Sequence, residues 1–239
     1  MSGAWQAARH CSVIGAAHRR QGRSCQDASL TLALPAPCGS SLQLLAVADG
    51  HGGRRYHRSD VGSRLACEQA AGAVAAALQC TPLGDREAWQ DQLAQGLPAA
   101  IQRGWQSAIE AHWQQSPSSA EEPFTALTYG TTLGLVLLAP GWWGCTGLGD
   151  WDLLLISGAD VALVSEEAAH GGPAEATASL CSQDAAQTWA ARAQLRPRRP
   201  RWSACPASSS GPCAGRSRRR ATSSPSTGSP CSRRSPAAC

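Results

Sequence analysis

The spacing of apolar residues changes along the chain, and each change predicts a different element. Ala28–Leu34 and Leu42–Ala48 are short, apolar and extended in character. Pro35-Ala36-Pro37 and Gly39-Ser40-Ser41 lie between them, which predicts a hairpin. Ser12-Val13-Ile14-Gly15 is a shorter strand candidate. From Ser59 to Gln79 the period becomes helical, with Val61 and Leu65 four apart and Val74 and Leu78 four apart. A ladder at steps of four follows: Trp89, Leu93, Leu97, Ile101, Trp105, Ile109 and Trp113. Such a ladder drifts about 40° per step on a helix of 3.6 residues per turn. One straight helix cannot turn all of it inward. Pro98 is therefore expected to divide the segment into two helices, the second starting near that proline. The ladder's three tryptophans read as core, since each buries a large apolar area.

Strand character returns at Thr128–Ala139. Gly141-Trp142-Trp143-Gly144 reads as a turn, Cys145–Leu148 as extended, and Gly149-Asp150-Trp151-Asp152 as an acidic turn. Leu153–Ile156 and Val161–Val164 flank a hairpin turn at Ser157–Asp160. Strands, a helical pair and further strands predict an α+β layered domain over residues 1–190.

Composition separates the last part of the chain from the rest. All 17 acidic residues precede residue 185, whereas residues 191–239 carry 11 of the 21 basic residues and no acid. Every basic residue is arginine. The body thus has a net charge of −7, from ten basic and seventeen acidic groups, and the tail +11. Residues 191–239 contain one Leu and no Ile, Val, Met or Phe, too little apolar surface to offset chain entropy, so this tail is expected to be disordered. Its arginines could hold nucleic acid only non-specifically, since Trp202 is its single aromatic. The 11 cysteines show no CxxC pair and no repeated spacing, which argues against a disulfide framework and for a reducing, cytoplasmic setting. No apolar run is long enough to span a membrane, and the N-terminus lacks a signal-peptide layout.

The most specific chemistry lies in Asp49-Gly50-His51-Gly52-Gly53, directly after the strand Leu42–Ala48. A strand that ends by presenting a carboxylate, a carbonyl and an imidazole in a glycine turn suits a hard divalent cation. An imidazole there can protonate a leaving group. The hairpin places Asp27 near the same sheet edge. Asp60 reads as a charge at a helix N-terminus rather than a ligand.

Four motifs together carry a resemblance. Ala46-Val47-Ala48-Asp49-Gly50-His51-Gly52-Gly53 resembles the signature of the metal-dependent type-2C protein phosphatases. Tyr129-Gly130-Thr131-Thr132 and Leu148-Gly149-Asp150-Trp151-Asp152 resemble two later motifs. Ser12–Gly15, with His18 and Cys25-Gln26-Asp27-Ala28, is similar to a bacterial branch, as is Glu175–Cys181 in weaker form. The resemblance implies a four-layer αββα sandwich, two antiparallel sheets flanked by helices. It implies two Mn²⁺ or Mg²⁺ ions and a phosphoserine or phosphothreonine protein substrate. It assigns Asp49, Gly50, Asp27 and Asp150 to the metal site, directly or through bound water, and His51 to the general acid. It also implies a phosphate-holding arginine, for which Arg23 and Arg20 are the candidates, because the usual position holds Gly22.

The family takes further Asp ligands from the C-terminal third, and no Asp or Glu follows Asp184. The sandwich is thus expected to be incomplete on its C-terminal side and the metal to bind weakly. The tail has the look of a reading-frame slip or truncation, beginning near Ala190-Ala191-Arg192. The alternative is a non-catalytic, phosphoprotein-binding pseudophosphatase.

Overall fold

The structure is a computed structural model that describes residues 5–22, 24–116, 123–157, 159–165, 178–183 and 185–198. Residues 199–239 lie outside the described residues, as do Arg23 and 166–177, which hold the first part of the Glu175–Cys181 motif.

Strands β1 (Ala28–Pro35) and β2 (Ser41–Ala48) form the expected hairpin, with Ala28 opposite Ala48 and Pro35 opposite Ser41. Strands β3 (Leu133–Leu138) and β4 (Trp142–Leu148) extend it, and β7 (Gln194–Pro197) closes the far edge. All pairings in this five-stranded sheet, ordered β1-β2-β3-β4-β7, are antiparallel. Alternate residues of one face, Leu42, Leu44, Ala46 and Ala48 in β2 and Leu133, Leu135 and Leu137 in β3, are buried in one hydrophobic cluster with the helices. This follows the two-residue period of a half-covered strand.

Helix α1 (Ala16–Arg20) is short, and Ser12–Gly15 before it is not a strand. The N-terminal segment instead fastens to side chains of the sheet's other face. Ala8 donates to the Gln43 amide oxygen (2.8 Å), the Gln43 amide donates to Trp5 O (3.2 Å), and the Ser12 and Ser29 hydroxyls pair at 2.8 Å.

Helix α2 (Ser59–Cys80) crosses the sheet, with α3 (Arg86–Asp91) and α4 (Leu97–Gln115) beside it. The helical ladder is where structure and expectation part. Every rung from Trp89 to Trp113 is buried. Pro98 does not separate two helices, because a π-helical segment, Gln92–Gly96, joins α3 to α4. Leu97 N–H there donates to Gln92 O, five residues back. A π turn holds more residues than an α turn. A four-residue step that over-rotates on an α-helix under-rotates here, and the ladder is brought back toward the core. Helix α4 does start beside Pro98, at Leu97 as expected, but the π segment keeps the rod continuous into it.

Three buried tryptophans satisfy their indole N–H groups within the core, whereas Trp151 Nε1 is buried with no partner among the described residues. Trp105 donates to Gly62 O (2.9 Å), Trp89 to Pro82 O (3.1 Å) and Trp142 to Leu83 O (2.7 Å). Trp142 and Trp143 lie in β4 rather than in the expected turn. The seven described cysteines are free. Cys67 behaves as a buried hydrophobe, its thiol pushed up to about 12 by burial and by Glu68, whereas Cys80 is exposed.

Helix α5 (Ala185–Arg192) packs Ala185 and Trp189 into the same cluster, and β7 follows it directly into the sheet. Ordered chain thus continues past the expected limit at residue 190. Ala193 and Leu195 supply apolar contacts that the poor composition of the whole tail conceals.

The second sheet is the antiparallel pair β5 (Leu153–Ser157) and β6 (Asp160–Ser165). The fold is therefore α+β, with two antiparallel sheets and flanking helices, and the second sheet is short. Ile156 and Val161 are 68% and 63% exposed, and Leu154, Leu155 and Leu163 are exposed as well. No helix among the described residues covers them. A bare apolar hairpin with open edges promotes association. Replacing Ile156 and Val161 together by threonine is expected to raise the solubility limit severalfold while leaving the melting temperature within about 2 °C, since exposed substitutions shift stability little. Static light scattering and calorimetry check both parts.

Candidate metal centre

The register that sets Ala28 opposite Ala48 brings Asp27 and Asp49 out at the same end of the hairpin. The chain then turns sharply, and neighbouring segments fix the turn at several points. Asp49 N–H donates to the Thr132 hydroxyl (2.9 Å), and Asp49 O accepts from the Thr131 hydroxyl and from Thr132 N–H, both at 2.9 Å. Gly50 N–H donates to Gln26 O (3.2 Å) and His51 N–H to Gly130 O (3.0 Å). A side chain at Gly50 would place its Cβ 2.5 Å from Gln26 O and 2.7 Å from Ser59 O, so only glycine fits. The Gln26 amide ties His51 O (3.2 Å) to the Ser59 hydroxyl (2.6 Å). The Tyr-Gly-Thr-Thr motif thus serves as a clamp on the backbone of Asp49.

Asp27, Asp49 and Asp150 line one cavity of about 300 Å³, together with Thr132, Trp151 and the segment Cys11–Val13. Among the described residues, no basic side chain lines it. Although Asp49 keeps contact with solvent, its carboxyl is pushed up to about 6. Partial burial is the largest cause, followed by hydrogen bonding and repulsion from Asp27 and repulsion from Asp150. Asp60 does not join them. It accepts from the Ser24 hydroxyl and from Val61 N–H in the first turn of α2, as expected of a helix N-terminal charge.

His51 is half-buried, its ring edge-on to Tyr56 at 5.1 Å. Burial lowers its proton affinity, Asp150 works against that, and Arg55 adds to it. Arg20 ends α1 and does not line the cavity, and Arg23 lies outside the described residues.

Residues that bear no chemistry by themselves shape the Asp150 side of the cavity. Gly149 has φ +90°, a conformation that favours glycine, and a Cβ there would meet Thr132 Cγ2 at 2.4 Å. Gly134 and Gly147 face each other across β3 and β4, and the Trp151 indole lies against both. The glycine pair gave no such signal in the sequence, because only the register brings the two together.

The donor set suits a hard divalent cation in kind: oxygen ligands, excess negative charge and a rigid turn. In number it falls short. Among the described residues, no group of three or more His, Cys, Asp and Glu side chains is placed to hold an ion. Asp27 and Asp49 interact directly, whereas the charge of Asp150 reaches them from across the cavity.

The family model for protein phosphatase 2C matches residues 14–212. The chain belongs to the protein phosphatase 2C family. The match runs beyond residue 192, so family-like sequence continues past the point where it was expected to give out. Among solved structures, a bacterial serine phosphatase is 16% identical with a TM-score of 0.41, over 61% of this chain and 51% of that one. The serine/threonine phosphatase PstP/Ppp of Mycobacterium tuberculosis is 22% identical with a TM-score of 0.39, over 81% and 71%. The catalytic domain of PstP in complex with two manganese ions is 21% identical with a TM-score of 0.37, over 72% and 71%. The chain spans about half the length of the first of these. No curated protein matches it by sequence. No helix of this phosphatase-family chain, among the described residues, is long and apolar enough to cross a membrane.

Proposed function

We propose that this chain is a phosphoserine/phosphothreonine protein phosphatase by descent, dependent on Mn²⁺ or Mg²⁺, whose ligand set is too small for full activity. The observation that carries this reading is the meeting of Asp27 and Asp49 on a cavity shared with Asp150. Bound metal in such a site supplies a water that is deprotonated near neutral pH and charge that offsets the phosphoryl oxygens. Asp49 and the Gly50 carbonyl hold the cation, Asp27 and Asp150 complete its surroundings, and the Thr131–Thr132 clamp keeps Asp49 in place. His51 gives a proton to the departing serine or threonine oxygen. Arg23 is the arginine proposed to hold the phosphate, with Arg20 as its substitute. The free cysteines fit a reducing, cytoplasmic setting.

The phosphoprotein-binding pseudophosphatase is the second reading, favoured by the lack of a three-ligand cluster among the described residues. Hydrolysis of p-nitrophenyl phosphate by the full chain, followed against Mn²⁺, separates the two. Weak turnover that rises into the millimolar Mn²⁺ range and disappears in His51→Ala is expected. Binding of a phosphopeptide without release of phosphate at any Mn²⁺ concentration favours the second reading. Micromolar Mn²⁺ affinity with rapid turnover contradicts the short ligand set.

A further inference from the structure

Arg192 is the largest buried cation described in this fold, and nothing above assigns it a task. It ends α5, is 1% exposed, and sits where the chain enters β7. Its guanidinium donates through Nη1 to Gly149 O and through Nη2 to Trp151 O (2.6 Å). Those two carbonyls flank Asp150 on either side. The same group lies over the Trp151 indole, 4.0 Å from the ring centroid. The indole in turn rests on Gly134 and Gly147, and Gly149 rests on Thr132. Burying an arginine is costly unless its donors are used, and here two of them go to one three-residue turn.

We infer that Arg192 is a positioning residue for Asp150: it clamps the carbonyls before and after that residue and so holds its carboxylate at the cavity shared with Asp27 and Asp49. Resting on the metal-site reading above, this deepens it by naming what fixes the most distant of the three acids. The planar fork spans both carbonyls at once, while a lysine supplies a single point charge. Thr132 therefore grips Asp49 and supports Gly149, while Arg192 grips the far side of the Asp150 turn.

The test uses the full chain with Arg192→Met and Arg192→Lys, and Val74→Ala, in the buried face of α2, as a core control for lost stability. Amide hydrogen exchange at residues 149–152 is measured first, without metal. It is expected to speed up at least tenfold in Arg192→Met, less in Arg192→Lys, and not in the control at matched stability. Exchange that is unchanged at 149–152, or that speeds up equally in the control, overturns the clamp. Mn²⁺ affinity by titration calorimetry is measured next. A loss of about 10–100-fold in Arg192→Met is expected, the usual range for residues that orient metal ligands. The same substitution in an Asp150→Asn background should cost little more, since the carboxylate it serves is gone. An undiminished affinity, or an equal loss in that background, shows that Arg192 does not act through Asp150. If the unmutated chain binds no Mn²⁺, the metal reading falls, and the exchange measurement still decides the clamp.

Discussion

Asp49→Asn abolishes the response to manganese and at the same time stabilises the metal-free protein at neutral pH. The two effects share a cause. In the folded chain the Asp49 carboxyl is raised from its ordinary value of 3.8 to about 6 by partial burial and by Asp27 and Asp150. A raised carboxyl means the folded state binds protons more tightly than the unfolded state between those values. Metal-free stability therefore falls as pH rises from about 4 to about 6 and stays at the lower level above that. Asparagine cannot ionise, so the variant loses this pH dependence. Because Asp49 keeps contact with solvent, water screens the repulsion, and the expected gain at pH 7 is about 1 kcal/mol. At pH 4 the two proteins should melt together. Denaturant melts at pH 4 and 7, with and without Mn²⁺, check the prediction. A variant less stable than the parent at pH 7 without metal shows that Asp49 earns its place by some contact other than the cation.

The hairpin and the turn it carries were legible because their signals are local. Alternating residues and proline-glycine punctuation define β1 and β2, and antiparallel register alone brings Asp27 beside Asp49. The long α2 was legible for the same reason. The π-helical joint was not, although the ladder that requires it was in plain view. Two devices can reconcile a four-residue repeat with a 3.6-residue helix, a break or a wide turn, and Pro98 pointed to the break. The structure uses the wide turn, which keeps the rod continuous.

The far side of the site depended on long-range contacts. Arg192 lies more than forty residues from the carbonyls it grips. In the sequence it stood at the head of an arginine-rich, acid-free stretch, where composition argued against order. Averaging over residues 191–239 hid the few that enter the sheet and the core. Gly134 and Gly147 were hidden in another way. Each is a glycine within an extended run, and only the β3–β4 pairing gives them a shared purpose beneath Trp151. These tertiary details decide how firmly Asp150 is held, whereas the local motifs decide which acids are present.

Gly62→Val prevents the chain from folding at 37 °C. Gly62 lies in the second turn of α2, where the helix passes over the Tyr129 backbone. A Cβ at this position would lie against the Tyr129 carbonyl oxygen, well inside van der Waals contact, and no flexible side chain is there to yield. The Gly62 carbonyl accepts from Trp105 Nε1 (2.9 Å), so displacing α2 also strands a buried indole donor. Tyr129 cannot retreat, because its hydroxyl accepts from Arg58 (2.9 Å) and pairs with His112 Nδ1 (2.9 Å). Pushing it aside would also move Gly130 and the Thr131–Thr132 clamp behind Asp49. Overpacking alone costs about 1–3 kcal/mol, and lost hydrogen bonds and core contacts bring the total to about 4 kcal/mol or more. That is a large share of a domain's whole stability. Trp105→Ala acts on the same contact from the other side and should cost about 3–5 kcal/mol. Circular dichroism of the two variants checks the pair: Gly62→Val lacking a cooperative melt, Trp105→Ala melting early. A Gly62→Val protein that melts within a few degrees of the parent would mean that α2 and the Tyr129 backbone are not in contact, and the clamp on Asp49 would lose its support.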